Sequence, residues 1–203
     1  MSRYCTQCGK PHNACICQWI KSLPSNVELI ILQHPSETKR PMGTARILTL
    51  SLPNSHCFVG EDFSQHAELN ALLNQADMQH FVLYPGENAI EVNEGFSHTD
   101  EKVALRVILL DGTWKKAYKM WQLSTNLHAL PLLKLPSNLA GNYRIRKAPS
   151  DNALSTVEAG FHILSLLQPE QDFTPLLHAF DQMIEYQIQQ MPAGVFERNY
   201  QKN

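Results

Sequence analysis

Two groups of residues in this 203-residue chain have the types and spacing to do chemistry. The first is "CTQCGKPHNACIC", which sets Cys5, Cys8, Cys15 and Cys17 in a C-x2-C-x6-C-x-C array. Thiolates two residues apart in a tight turn converge on one centre, and Gly9-Lys10-Pro11 lets the chain fold back on itself. Four sulfurs at ~2.3 Å in a tetrahedron suit Zn²⁺. Nothing here calls for the open coordination position of a catalytic metal, so a structural knuckle over residues 1–22 is expected. His12 can replace one sulfur, an iron–sulfur cluster fits the same spacing, and the bland alternative is four reduced thiols.

The second group is "VILLDGTWKKAYKMW", Val107 to Trp121. Apolar residues run directly into Asp111, Gly112, Thr113 and Trp114, and then into Lys115 and Lys116. In open parallel sheets, ligands bind beyond the carboxyl ends of the strands. An acid at such an end is a candidate proton acceptor. So placed, it shares a pocket with the Tyr84-Pro85-Gly86 corner. The plainer readings are an Asp-Gly turn, an N-cap for Thr113 and a core anchor for Trp114.

Two further stretches carry charge. "HPSETKRPMGTARIL" concentrates His34, Glu37, Lys39, Arg40, Thr44 and Arg46, as an anion site or as a solvated loop. "NYRIRKAPSDNALSTVEA" puts Arg144, Arg146 and Lys147 just before a helix, where Ser155 and Glu158 form an S-x-x-E capping box.

The elements that must position these residues follow from periodicity. "VELIILQ", "HCFVG", "HFVLYPG" and "RVILLDG" read as strands, and "HALPLLKL" as strand-like with its first half weakened by Pro131. "SQHAELNALLNQA" reads as a helix capped by Ser64. "TWKKAYKMWQL" is a helix with Trp114, Ala117, Tyr118 and Trp121 on one face. "LSTVEAGFHILSLL" and "FTPLLHAFDQMIEYQIQQM" are helices as well. Cys57, in the second strand, reads as a small core residue. Apolar strands alternating with helices imply an α/β fold, a mostly parallel sheet with helices on both faces, over residues 23–203.

Composition narrows the function. The apolar fraction is 43%, sufficient for a core. "MSRYCTQCGK" has no apolar signal-peptide region, and no apolar run reaches the ~20 residues that span a bilayer, so a cytoplasmic protein without a membrane partner is expected. The net charge of -2 argues against nucleic-acid binding, but its distribution does not. Glu61 to Glu101 holds nine acids and no Lys or Arg, whereas Asp111 to Ser150 holds seven basic residues and one acid. That asymmetry allows a basic face on a nearly neutral chain.

Asp111-Gly112-Thr113-Trp114 matches the D-x-T-W signature of the DTW-domain family. The chain also resembles that family in its cysteine cluster, "QHPSETKRPMGTARIL", "LYPG", "YRIRKAPS" and "LSTVEA", in order over about three quarters of its length. Within the family it is similar to the bacterial tRNA-uridine aminocarboxypropyltransferases. The resemblance implies a SPOUT-like fold with a trefoil-knotted cofactor site. It implies S-adenosylmethionine as donor of a 3-amino-3-carboxypropyl group, 5'-methylthioadenosine as by-product, and N3 of a tRNA uridine as acceptor. Asp111, Thr113 and Trp114 would then be catalytic. Leu83, Tyr84, Pro85, Gly86, Leu109, Leu110, Gly112, Ser155, Thr156 and Glu158 would hold the donor. Lys39, Arg40, Arg46, Lys115, Lys116, Arg144, Arg146 and Lys147 would meet RNA. The competing readings are an S-adenosylmethionine-dependent RNA methyltransferase and a non-catalytic zinc-ribbon RNA-binding module. Oligomeric state is left open.

Overall fold

The computed structural model describes residues 3–93, 96, 103–137, 139 and 154–196. Among these residues six strands form one sheet: β1 (Val27–Gln33), β2 (His56–Val59), β3 (Met78–Leu83), β4 (Ile90–Glu91), β5 (Ala104–Asp111) and β6 (Leu132–Lys134). Their spatial order is β2-β1-β5-β3-β6-β4, and every pairing in the sheet is parallel. Among the described residues five α-helices accompany them: α1 (Ala45–Ser51), α2 (Ala67–Leu73), α3 (Trp114–Leu123), α4 (Thr156–Leu167) and α5 (Thr174–Gln189). The expected α/β architecture is therefore present.

Alternation along the central strands divides the core in two. Leu29, Ile31, Val107 and Leu109 face α1, α4 and α5, together with Leu48, Ile163 and Phe180. Ile30, Leu32, Val82 and Ile108 face the other way, toward Leu69 of α2 and Met120 of α3. Both faces are covered, which is why β1 and β5 read as unbroken apolar runs. Gly160 allows close contact between α1 and α4, since a Cβ there would lie 2.7 Å from a Leu48 methyl.

Several local expectations are corrected. The start of α2 is not capped by Ser64. His66 caps it, its ring nitrogen accepting from the backbone N–H of Leu69 at 3.2 Å. The buried face of α3 is Ala117 and Met120, not the aromatic one, and Trp114 and Tyr118 are 51% and 58% exposed. Residues 117 and 120 sit one turn apart facing the strands, which rotates 114 and 118 outward. Cys57 is exposed rather than a core residue, because β2 is the edge strand and only alternate residues there turn inward. Helix α1 lies inside a stretch read only as a charged loop, anchored by buried Ala45, Ile47 and Leu48. The two-residue β4 was not foreseen either.

The N-terminal segment packs onto this body. Cys8 and Ile16 are buried in the same cluster as α5. Lys10 Nζ donates to the Pro41 carbonyl at 2.5 Å, and the Arg46 guanidinium donates to the Gln7 carbonyl. Among the described residues no helix is long and apolar enough to cross a membrane.

Candidate active site

Asp111 is the last residue of β5 and lies in register with Gln33, the last residue of β1. It continues the alternation of Leu105, Val107 and Leu109, so its side chain turns toward α4. It is 6% exposed. The Gln33 side-chain amide donates to Oδ2 at 2.8 Å, and the Thr156 hydroxyl donates to Oδ1. Thr156 is the first residue of α4, where the unpaired N–H groups of a helix favour negative charge. Burial nevertheless dominates and holds the Asp111 carboxyl above its ordinary range. The Thr156 and Gln33 hydrogen bonds oppose that rise, Glu37 adds to it and Arg40 offsets it. The result is a carboxylate fixed in orientation and more basic than a solvated one.

It faces a cleft of about 750 Å³ at the carboxyl edge of the sheet. Leu83, Leu109, Leu110 and Leu133 supply apolar wall, and Trp114 lines the cleft while staying half exposed. Tyr84, Pro85, Gly112, Thr113, Ser155 and Thr156 line it as well. Thr113 occupies the N-cap position of α3 without a side-chain capping bond. Gly112 is tightly placed, since a Cβ there would lie 3.1 Å from Lys116 Cβ and 3.6 Å from His34 Cβ.

Two residues expected among the donor-binding group stand elsewhere. Gly86 packs against Leu132 outside the cleft lining, and a Cβ there would come within 2.7 Å of it. Glu158 is buried behind Ser155, accepting from its backbone N–H at 2.7 Å and its hydroxyl at 2.6 Å. The capping box was the stronger reading of that pair and is fully formed.

The expected RNA-binding cations are dispersed. Lys115 is exposed and lines the cleft, and Lys39 is exposed away from it. Arg40 lines the cleft but pairs with Glu37 at 3.0 Å. Lys116 is held by Ser36 at 2.6 Å and Glu37 at 2.8 Å. Arg46 is engaged by the knuckle, while Arg144, Arg146 and Lys147 lie outside the described residues. Sequence reading missed Gln33, Met42, Gly43 and the wall from Leu133 to Ser137. For Gln33 a signal existed: it is a polar residue ending a buried strand, as Asp111 is.

The four cysteine sulfurs lie within 4.8 Å of one another. The Cys5–Cys17 and Cys8–Cys15 separations are both 3.7 Å. A regular tetrahedron of sulfurs ~2.3 Å from a metal has edges of ~3.8 Å, so the donor set fits a bound Zn²⁺. Backbone N–H groups of Cys8 and Gln7 draw Cys5 down to about 6, while burial and neighbouring sulfurs push Cys17 up.

Comparison with known proteins adds the family. The family model described as the DTW domain matches residues 2–188. A Drosophila melanogaster protein named tRNA-uridine aminocarboxypropyltransferase 2 is 31% identical over 192 residues, covering 91% of this chain and 74% of the relative. Its Mus musculus namesake is 28% identical, over 91% of this chain, which spans only 63% of the mouse protein. An Arabidopsis thaliana tRNA-uridine aminocarboxypropyltransferase A is 24% identical, covering 90% of this chain and 80% of the relative. These relatives come from animals and a plant, so the bacterial part of the expected resemblance is not borne out.

Proposed function

The chain belongs to the DTW-domain family, and from that membership we propose that it is a tRNA-uridine aminocarboxypropyltransferase. It moves the 3-amino-3-carboxypropyl group of S-adenosylmethionine to N3 of a uridine in tRNA and releases 5'-methylthioadenosine. The observation that carries this reading is Asp111, a buried carboxylate raised in basicity, held by two neutral donors and facing a cleft large enough for an adenosine. The relatives named as transferases weigh against the non-catalytic module and against methyl transfer.

S-adenosylmethionine, when bound, supplies an electrophilic γ carbon beside its sulfonium. The chain's own residues must do the rest. Asp111 accepts the N3–H of uridine, and a raised pKa suits it to that proton better than an ordinary aspartate. The side chains of Gln33 and Thr156 fix which lone pairs remain for the base. A carboxylate against the sulfonium would stabilise mainly the ground state, because that charge vanishes as the bond breaks. Leu83, Leu109, Leu110 and Trp114 are therefore assigned to the sulfur, and Asp111 to the nucleobase. Selecting the propyl carbon over the smaller methyl is a matter of placement, with the γ carbon ~3–3.5 Å from N3. Thr113, Ser155 and Thr156 offer hydroxyls toward the amino-acid end of the donor.

The proposal keeps a structural zinc on Cys5, Cys8, Cys15 and Cys17, a knuckle over 1–22 beside a catalytic body over 23–203, and a cytoplasmic setting. It also keeps the SPOUT-like knotted arrangement. In the sheet β5 lies between β1 and β3, and β6 between β3 and β4. The test is to incubate unmodified tRNA with S-adenosylmethionine and the protein and to separate the by-products. 5'-Methylthioadenosine is expected, S-adenosylhomocysteine would mean methyl transfer, and neither would remove the activity.

A further inference from the structure

Helix α3 leaves uncovered what most helices bury. Trp114 is 51% and Tyr118 58% exposed, and Trp121 continues the row at helical spacing. Large rings left in water on one face mark a binding surface more often than an accident of packing. The row does not end on the helix. Trp121 stacks on Tyr84, centroids 5.1 Å apart and planes 16° apart, and meets His128 in a tilted contact with centroids 4.6 Å apart. Trp114 and Tyr84 both line the Asp111 cleft, whereas Tyr118 does not. An aromatic path thus runs from the cleft mouth outward along α3.

Cations border this path. Lys115 and Lys119 are one turn apart on the same helix, and both are exposed. Lys119 reaches Glu61 at 2.6 Å, and Lys115 has no ion pair among the described residues. Rings that offer a free face, flanked by positive charge and continuous with a cleft, are what single-stranded nucleic acid requires. Stacking replaces the base–base contacts that an unpaired strand has lost, and Lys115 meets its phosphates. A second copy of this chain fits less well, because a two-fold interface here would bring Lys115 and Lys119 toward their own copies.

Resting on the proposed activity, we infer that Tyr118, with Trp114 leading to it, is a stacking platform for the unpaired nucleotides flanking the target uridine. Tyr118 is a positioning residue that holds neighbouring bases while Asp111 meets the target.

The test uses the full-length protein and a single-stranded RNA oligomer with 2-aminopurine beside a central uridine. Wild type should bind it and quench the 2-aminopurine by stacking. Tyr118→Ala should weaken binding about tenfold and abolish the quench, while S-adenosylmethionine binding by calorimetry is unchanged. Tyr118→Phe should restore both affinity and quench. With tRNA the Ala variant should raise KM and leave kcat in place. Unchanged affinity and quench in Tyr118→Ala would overturn the platform, as would sedimentation showing that wild-type chains pair through this face. If wild type modifies no tRNA yet Tyr118→Ala still loses the oligomer, the activity fails and the platform stands.

Discussion

The cysteine knuckle and the Asp111 cleft both gather polar groups from several positions, but they gather them differently. The knuckle's four sulfurs come from 13 consecutive residues and converge on one another. The cleft's core is Gln33, Asp111 and Thr156, drawn from the ends of two strands and the start of a helix. Groups that converge on a common centre within a short loop are set up to hold something fixed, and their worth is in stability. Groups that face an opening from separate elements are set up to meet something that comes and goes. Breaking the first should cost folding without touching the chemistry directly, and breaking the second should cost chemistry without folding.

The largest effect falls on the cleft. Asp111→Asn should lower single-turnover transfer by about a hundred- to ten-thousand-fold, measured by labelled donor incorporation, with RNA affinity nearly intact. Its stability should move the other way. The folded-state pKa of Asp111 is raised, so its stabilising contribution is complete at acid pH and lost as pH rises through that value. Asn should therefore melt higher than wild type at neutral pH, with the gap closing below the ordinary aspartate range. A lower melting point at neutral pH would show that Asp111 is mainly a structural acceptor.

The knuckle should answer oppositely. Cys8→Ser removes one of the four proposed ligands, a residue only 4% exposed in the core, and on the proposed zinc site should abolish metal binding and destabilise by about 3 kcal/mol or more. Metal analysis and thermal melting check this, and undiminished metal content would refute the ligand set. A smaller loss is expected from Glu158→Ala, which breaks the capping box at the mouth-side end of α4. About 1–2 kcal/mol by chemical denaturation is expected. If its turnover fell far more than its stability, Glu158 would belong to the cleft after all. The smallest is Lys115→Ala, which should reduce the salt dependence of tRNA binding by a slope of about 1. An unchanged slope would place the phosphates elsewhere.

The same contrast explains what could be read from the chain. The convergence of the four cysteines was legible because they are local and chemically unusual. The strands were legible because burial on both faces leaves continuous apolar runs, and the α4 start because a capping box is a local pattern. Asp111 stood out through its position at a strand end. Gln33 did not, and Thr156 was expected on the donor rather than on Asp111, since Gln33 is 78 residues and Thr156 45 residues away, and only the parallel register and the packing of α4 bring them together. The outward turn of Trp114 and Tyr118 was missed for a similar reason. Periodicity identifies faces of a helix, but which face the sheet selects depended on Ala117 and Met120 fitting closer to the strands.

In the proposed mechanism Asp111 accepts the N3–H of a uridine in this cleft while N3 meets the γ carbon of the donor. Mass spectrometry of nucleosides from tRNA incubated with S-adenosylmethionine and either wild type or Asp111→Asn tests it directly. Uridine carrying one added 3-amino-3-carboxypropyl group is expected with wild type and only a trace with the variant. Equal modification by both proteins, or a methyl group in place of the larger one, would contradict it.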